Sequence, residues 1–196
     1  MLHAEVSRTL LDATPRDAAA RWLIPAAAAV FGVCLLTLSA KIQVPFWPVP
    51  MTLQTLVVLM LGMAYGSRLA AGTVLAYLAA AAAGLPVLAG TPERGIGLAY
   101  MMGPTGGFLV GFVLAAWIVG FLAERGWDRS FLTCGAAMIA GHLAISLSGV
   151  VWLALLMGST KAIDIGLMPF LASSALKTAL GTAAMPVIWR TVSRKQ

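Results

Sequence analysis

The chain has 196 residues, of which 60% are hydrophobic and only 10% charged, with a mean hydropathy of +0.92 and a formal net charge of +6. So few polar groups cannot coat a water-soluble globule, and the composition predicts a single-domain, all-α integral membrane protein. The basic residues are scattered at the ends of apolar runs rather than gathered in an aromatic-interleaved stripe, which argues against a nucleic-acid partner.

Residues 1–21 mix Arg8, Arg16 and Arg21 with Glu5, Asp12 and Asp17 and read as a polar tail. A membrane domain follows over 22–192, and 193–196 form a short second tail. A hydrocarbon core of about 30 Å needs about 20 apolar residues per crossing. Six such runs are predicted: Trp22 to Ala40, Met51 to Tyr65, Arg68 to Gly84, Thr105 to Ala123, Phe131 to Met157 and Met168 to Trp189. The first ends in Leu38-Ser39-Ala40, which loosely resembles a signal-peptide cleavage site, but it exceeds an ordinary signal core and five further runs follow it. It is therefore read as a span. Its Ala28-x-x-x-Gly32 pair forms a small-residue face, suited either to packing inside the bundle or to docking a partner.

The connections alternate in charge. Arg8, Arg16, Arg21, Arg68, Arg125, Arg129, Arg190, Arg194 and Lys195 fall on one side, against Lys41, Arg94 and Lys161 on the other. This asymmetry places both termini in the cytoplasm and the protein in the plasma (inner) membrane as a multi-pass chain. The outer connections are then 41–50, 85–104 and 158–167. In the first, Pro45, Pro48 and Pro50 remove backbone donors and impose an extended segment. The second is long for a helical connection and carries Gly90, Gly95, Gly97, Gly103 and Pro104, the mark of a lid or binding loop.

Lys177 is the most informative residue. It lies about 13 Å into the last span, counted at 1.5 Å per residue from the outer end, where a lysine costs several kcal/mol unless hydrated or paired. All seven acidic residues lie in the tail, in loops or at helix ends, so the counter-ion is expected from an anionic or strongly hydrogen-bonding solute. The other reading is a lysine snorkelling toward the interface. Ser174 lies one turn before Lys177 on the same face. Thr52, Gln54 and Thr55 open the second span, where they could face a pocket, cap the helix or bond a neighbouring helix. Trp47, Tyr77 and Tyr100 could stack on a ligand or belong to the interfacial aromatic belt.

Catalysis is not indicated. His142, Ser146 and Ser148 share one helix, no G-x-S-G nucleophile is present, and no base is oriented by a third group. The two histidines, His3 and His142, and the two cysteines, Cys34 and Cys134, have no metal-site spacing, and no disulfide or cofactor is expected. The chain has no G-x-x-x-x-G-K-[ST] phosphate loop, so any ATP-driven role needs a partner.

Three stretches together carry a family resemblance: Val-Pro-Phe-Trp-Pro-Val-Pro-Met-Thr-Leu-Gln-Thr-Leu at 44–56, Gly-Leu-Pro-Val-Leu-Ala-Gly at 84–90, and Gly-Pro-Thr-Gly-Gly-Phe-Leu-Val-Gly-Phe at 103–112. In these the chain resembles the BioY family, the biotin-specific substrate-binding (S) components of energy-coupling-factor (ECF) transporters. A fourth stretch, Pro-Phe-Leu-Pro-Gly-Asp-Leu-x-Lys in the family, reads Pro169-Phe170-Leu171-Ala172-Ser173-Ser174-Ala175-Leu176-Lys177 here, so the lysine is kept and Ser174 replaces the acid. The resemblance implies a compact bundle of six transmembrane helices with a pocket opening outward under the 85–104 loop. It further implies biotin as the ligand, a coupling transmembrane subunit and two ATPase subunits as partners, and Ala28 and Gly32 as the docking face. The expected ligand set is Lys177, Ser174, Trp47, Gln54 and Tyr77, with Tyr100, Met101, Pro104 and Thr105 from the loop end. Biotin offers a carboxylate for a cation, an apolar bicycle for Trp47 or Tyr100, and a ureido group for Gln54, Thr105 and Ser174. The same fold serving another small vitamin-like solute is the alternative.

Overall fold

The computed structural model describes residues 9, 20–44, 51–93 and 95–193. Within them lie eight helices and one small sheet: α1 Ala20–Lys41, β1 Gln43–Val44, β2 Met51–Thr52, α2 Gln54–Tyr65, α3 Ser67–Ala82, α4 Gly97–Met101, α5 Gly106–Ala123, α6 Phe131–Met157, α7 Ser159–Gly166 and α8 Met168–Ser193. Four helical runs among the described residues are long and apolar enough to cross a membrane, namely Trp22–Lys41, Gly106–Ala123, Phe131–Met157 and Ser159–Thr191. The helices α2 and α3 are equally apolar but shorter. With 12 residues, α2 reaches only about 18 Å.

The outward faces carry bare hydrophobic side chains. Trp22, Leu132 and Leu155 are 83%, 86% and 79% exposed, far more than water tolerates in a contiguous apolar surface. The interior is small and close-packed. It centres on Leu36, Val58, Leu59, Met63, Val74, Ala115, Val119 and Met138, all fully buried.

Small residues set the helix spacing. The α5–α6 pair is the most extensive in the protein, because a Cβ at Gly107 would run into the Trp152 side chain and one at Gly111 would press on the Ile145 backbone. With no side chain there, the two backbones approach closely and dispersion replaces the missing hydrophobic drive between helices in lipid. Trp152 Nε1 donates to the Gly103 carbonyl at 2.9 Å, tying the entry of α5 to α6.

Three connections differ from the sequence reading. Helix α2 begins at Gln54 rather than Met51, because Gln43 and Val44 pair antiparallel with Thr52 and Met51 and draw the chain into a short hairpin. The Pro45, Pro48 and Pro50 segment between the two strands lies outside the described residues. The connection 158–167 is the helix α7, which buries Ala162 and Gly166, four residues apart, and exposes Lys161 and Asp164. One apolar stripe over eight residues suffices to lay a helix across its neighbours but is too short to register as a span. The long connection 85–104 likewise contains the single-turn helix α4.

Candidate solute-binding site

A cavity of about 210 Å³ lies between α2, α5, α6 and α8. Its apolar walls are Phe108, Leu109 and Phe112 of α5, Ile145 of α6 and Phe170 of α8. Phe108 and Phe170 meet across the cavity with ring centroids 5.9 Å apart, closing α5 against α8. Leu88, Ala89 and Tyr100 cover it from the long connection, and Thr105 stands at its rim.

Polar groups complete the lining. Helix α6 contributes His142 and Ser146, and α8 contributes Ser174 and Lys177, each pair spaced to share one helix face. The far side of this wall borders an open apolar groove of about 770 Å³ between α6 and α8, which His142, Ser146 and Ser174 also touch. Lys177 is 8% exposed, and its Nζ donates to Thr55 Oγ1 at 2.8 Å. Thr55 and Gln54 form the first turn of α2, whose N-terminus has no side-chain cap. An uncapped helix N-terminus presents backbone N–H groups and a partial positive charge. Among the described residues no Asp or Glu lines the cavity. The site therefore combines a buried cation and a helix N-terminus with no internal anion, an arrangement selective for a solute that brings its own acceptor oxygens.

The cover of the cavity is held by backbone carbonyls. Residues 85–91 lack a helical ladder, so their carbonyls need side-chain donors. Tyr77 Oη donates to the Val87 carbonyl at 2.8 Å and Tyr100 Oη to that of Ala89 at 2.5 Å. Lys41 Nζ donates to the carbonyls of Leu88 and Thr91 at 3.0 and 2.5 Å and to Thr91 Oγ1 at 3.0 Å. Gln54 Nε2 in turn donates to Tyr77 Oη at 2.8 Å, so a side chain on the cavity wall is linked through one phenol to the loop above.

The structure brings together Lys177, Ser174, Gln54, Tyr100 and Thr105 of the expected ligand set. Tyr77 is fully buried behind the wall, where it holds Gln54 and the loop. Met101 is half-buried against the core and Pro104 is exposed, and neither lines the cavity. Trp47 lies outside the described residues. Sequence reasoning missed Phe108, Phe112, His142 and Ser146 as lining residues. Phe108 and Phe112 are indistinguishable from core positions in a helix that is apolar all round. His142 and Ser146 carry a four-residue polar spacing on an otherwise apolar helix, the signal that marks them as sharing one face.

Gly32 and Ala28, expected as a docking face, meet α2 and α3 within the chain. A Cβ at Gly32 would meet Thr73 Cγ2 at 2.7 Å and Tyr65 Cε2 at 3.3 Å, and Tyr65 Oη donates to the Ala28 carbonyl at 2.9 Å. This small face packs inward on α2 and α3. The exposed side of α1 carries Trp22, Leu23, Val30, Phe31 and Leu38 instead.

These features define a helical integral membrane protein with a cavity between its helices whose described lining includes a buried lysine. The chain belongs to the BioY family, whose model matches residues 12–194. It is 39% identical over 166 residues to the biotin transporter BioY of Rhizobium etli, covering 78% of this chain and 87% of that protein. To the biotin transporter BioY of Thermotoga maritima it is 36% identical over 144 residues, covering 73% and 82%. The fold matches a crystal structure of the S-component for biotin from an ECF-type ABC transporter with a TM-score of 0.73 at 23% identity, covering 93% of this chain and 96% of that one.

Proposed function

We propose that this chain is the biotin-binding component of a vitamin uptake transporter, taking biotin from the outer side and delivering it inward with an energising ATPase module. The observation that carries the reading is Lys177, a buried ammonium in a cavity lined by no carboxylate. Its charge is best balanced by a ligand that is itself anionic or rich in acceptor oxygens, and the aromatic lining of Phe108, Phe112 and Phe170 suits an apolar bicycle. The BioY names of the relatives support biotin among such solutes. Ser174, Gln54, Tyr100 and Thr105 are the further contacts this reading uses.

In this reading α1, α2, α3, α5, α6 and α8 are the six spans and both termini face the cytoplasm, a reading supported by the excess of arginine on that side. A coupling transmembrane subunit would meet the exposed apolar side of α1 rather than its Gly32 face. No covalent chemistry is involved. The test is calorimetric binding of biotin to the purified, detergent-solubilised full chain, with desthiobiotin, thiamine and riboflavin in comparison. Selective biotin binding is expected. A folded sample that ignores biotin but binds one of the other vitamins would replace biotin as the substrate.

A further inference from the structure

His142 is the one lining residue with an unspent buried nitrogen. It is 6% exposed, and its Nε2 is buried with no hydrogen-bond partner. Nearby, Lys177 Nζ bonds Thr55 Oγ1 and Gln54 Nε2 bonds Tyr77 Oη. A buried imidazole nitrogen left unpaired costs free energy unless something else fills the role. His142 stands on the cavity wall with Ser146 one turn on, opposite Ser174 and Lys177 of α8. With Lys177 sharing the cavity and no carboxylate in its lining, the division of labour follows from charge: the ammonium donates, and the imidazole accepts.

We propose that His142 is a ligand-contacting residue whose Nε2 accepts an N–H hydrogen bond from the solute, which for biotin is one of the two ureido N–H groups. The inference rests on the biotin reading above and deepens it. A ureido ring needs acceptors for its N–H groups and donors for its carbonyl oxygen. The described lining supplies donors through Lys177 and the hydroxyls, and among its possible acceptors the imidazole Nε2 is the buried one with no hydrogen-bond partner. The geometry thus assigns His142 a selectivity role. It rewards a solute that presents N–H donors beside an acceptor oxygen and penalises one of similar shape that cannot donate, because the latter leaves Nε2 unpaired.

The test measures Kd by calorimetry on the detergent-solubilised full chain for the wild type, His142→Leu and His142→Gln, each checked for folding by thermal unfolding. Biotin and an N-methylated biotin lacking one ureido N–H are the two probes. Biotin affinity is expected to fall about tenfold or more in His142→Leu, which keeps the bulk and removes the acceptor. His142→Gln places an amide oxygen at a similar reach and is expected to recover most of that loss. The methylated probe should bind the wild type more weakly than biotin, and His142→Leu should discriminate less between the two. Unchanged biotin affinity in a folded His142→Leu, with the wild type binding biotin, overturns the assignment alone. Failure of the folded wild type to bind biotin overturns both the biotin reading and the assignment that rests on it.

Discussion

Replacing Lys177 by methionine separates the cost of that residue from its use. In the free protein its ammonium lies 8% exposed with Thr55 Oγ1 as its recorded hydrogen-bond partner, at 2.8 Å. A cation so placed costs the fold several kcal/mol unless it is hydrated or paired. Methionine retains the length of the side chain and removes the charge, so the thermal midpoint of the ligand-free Lys177→Met protein is expected to hold or to rise by a few degrees. Binding should respond in the opposite sense. Two of the three ammonium donors remain for a ligand, and a hydrogen bond to a charged group contributes about 1.5–3 kcal/mol. At about 1.4 kcal/mol per decade, losing one such bond weakens biotin binding roughly ten- to hundredfold. The assay pairs calorimetric titration with thermal unfolding of the same detergent sample. Unchanged affinity would remove Lys177 from the site, and a lowered midpoint in the free protein would make it a structural residue instead.

Three further outcomes are expected. Gly107→Ala places a methyl group against Trp152 at the tightest part of the α5–α6 contact and should destabilise the protein by about 1–3 kcal/mol, read as a lower thermal midpoint with the fold retained. Lys41→Met frees the carbonyls of Leu88 and Thr91, and it should speed biotin release and expose the 85–95 segment to limited proteolysis, both measured on the purified chain. Asp128, in the connection between α5 and α6, is fully buried; burial pushes its carboxyl pKa up, against a smaller opposing effect of the bond from Trp189 Nε1. A raised native value means that the folded state holds this proton more tightly than the unfolded chain. The resulting stability is fully present below the unfolded value near 3.9 and is lost as pH rises through the elevated one. Thermal midpoints of wild type and Asp128→Asn should therefore differ most in favour of the wild type near about pH 4, with that advantage shrinking as pH rises. A difference that grows with pH would refute the argument.

Much of this was legible in the chain. Apolar runs of membrane length are a local property, so α1, α5, α6 and α8 could be read with boundaries near those observed. Lys177 stood out because one charge in an apolar helix is a local anomaly too, and Ser174 followed from helical spacing alone. The roles of Tyr77 and Lys41 were not legible. Tyr77 looked like a stacking residue, yet its hydroxyl serves Val87 and Gln54, ten and 23 residues away. Lys41 looked like a topology signal, yet it holds carbonyls 47 and 50 residues away. Gly32 belonged to a small-residue face, and only the positions of Thr73 and Tyr65 decide that the face turns inward.

The division follows the range of the forces involved. Hydropathy, proline chemistry and helical period act over a few residues, and they determine that this chain enters a membrane, where its helices run and which spans carry polar faces. Whether a polar side chain meets a solute, a loop carbonyl or a neighbouring helix depends on what packing brings opposite it. For His142 the same imidazole reads as an isolated histidine along the chain and as an unpaired acceptor beside Lys177 once α6 and α8 are set against α2 and α5.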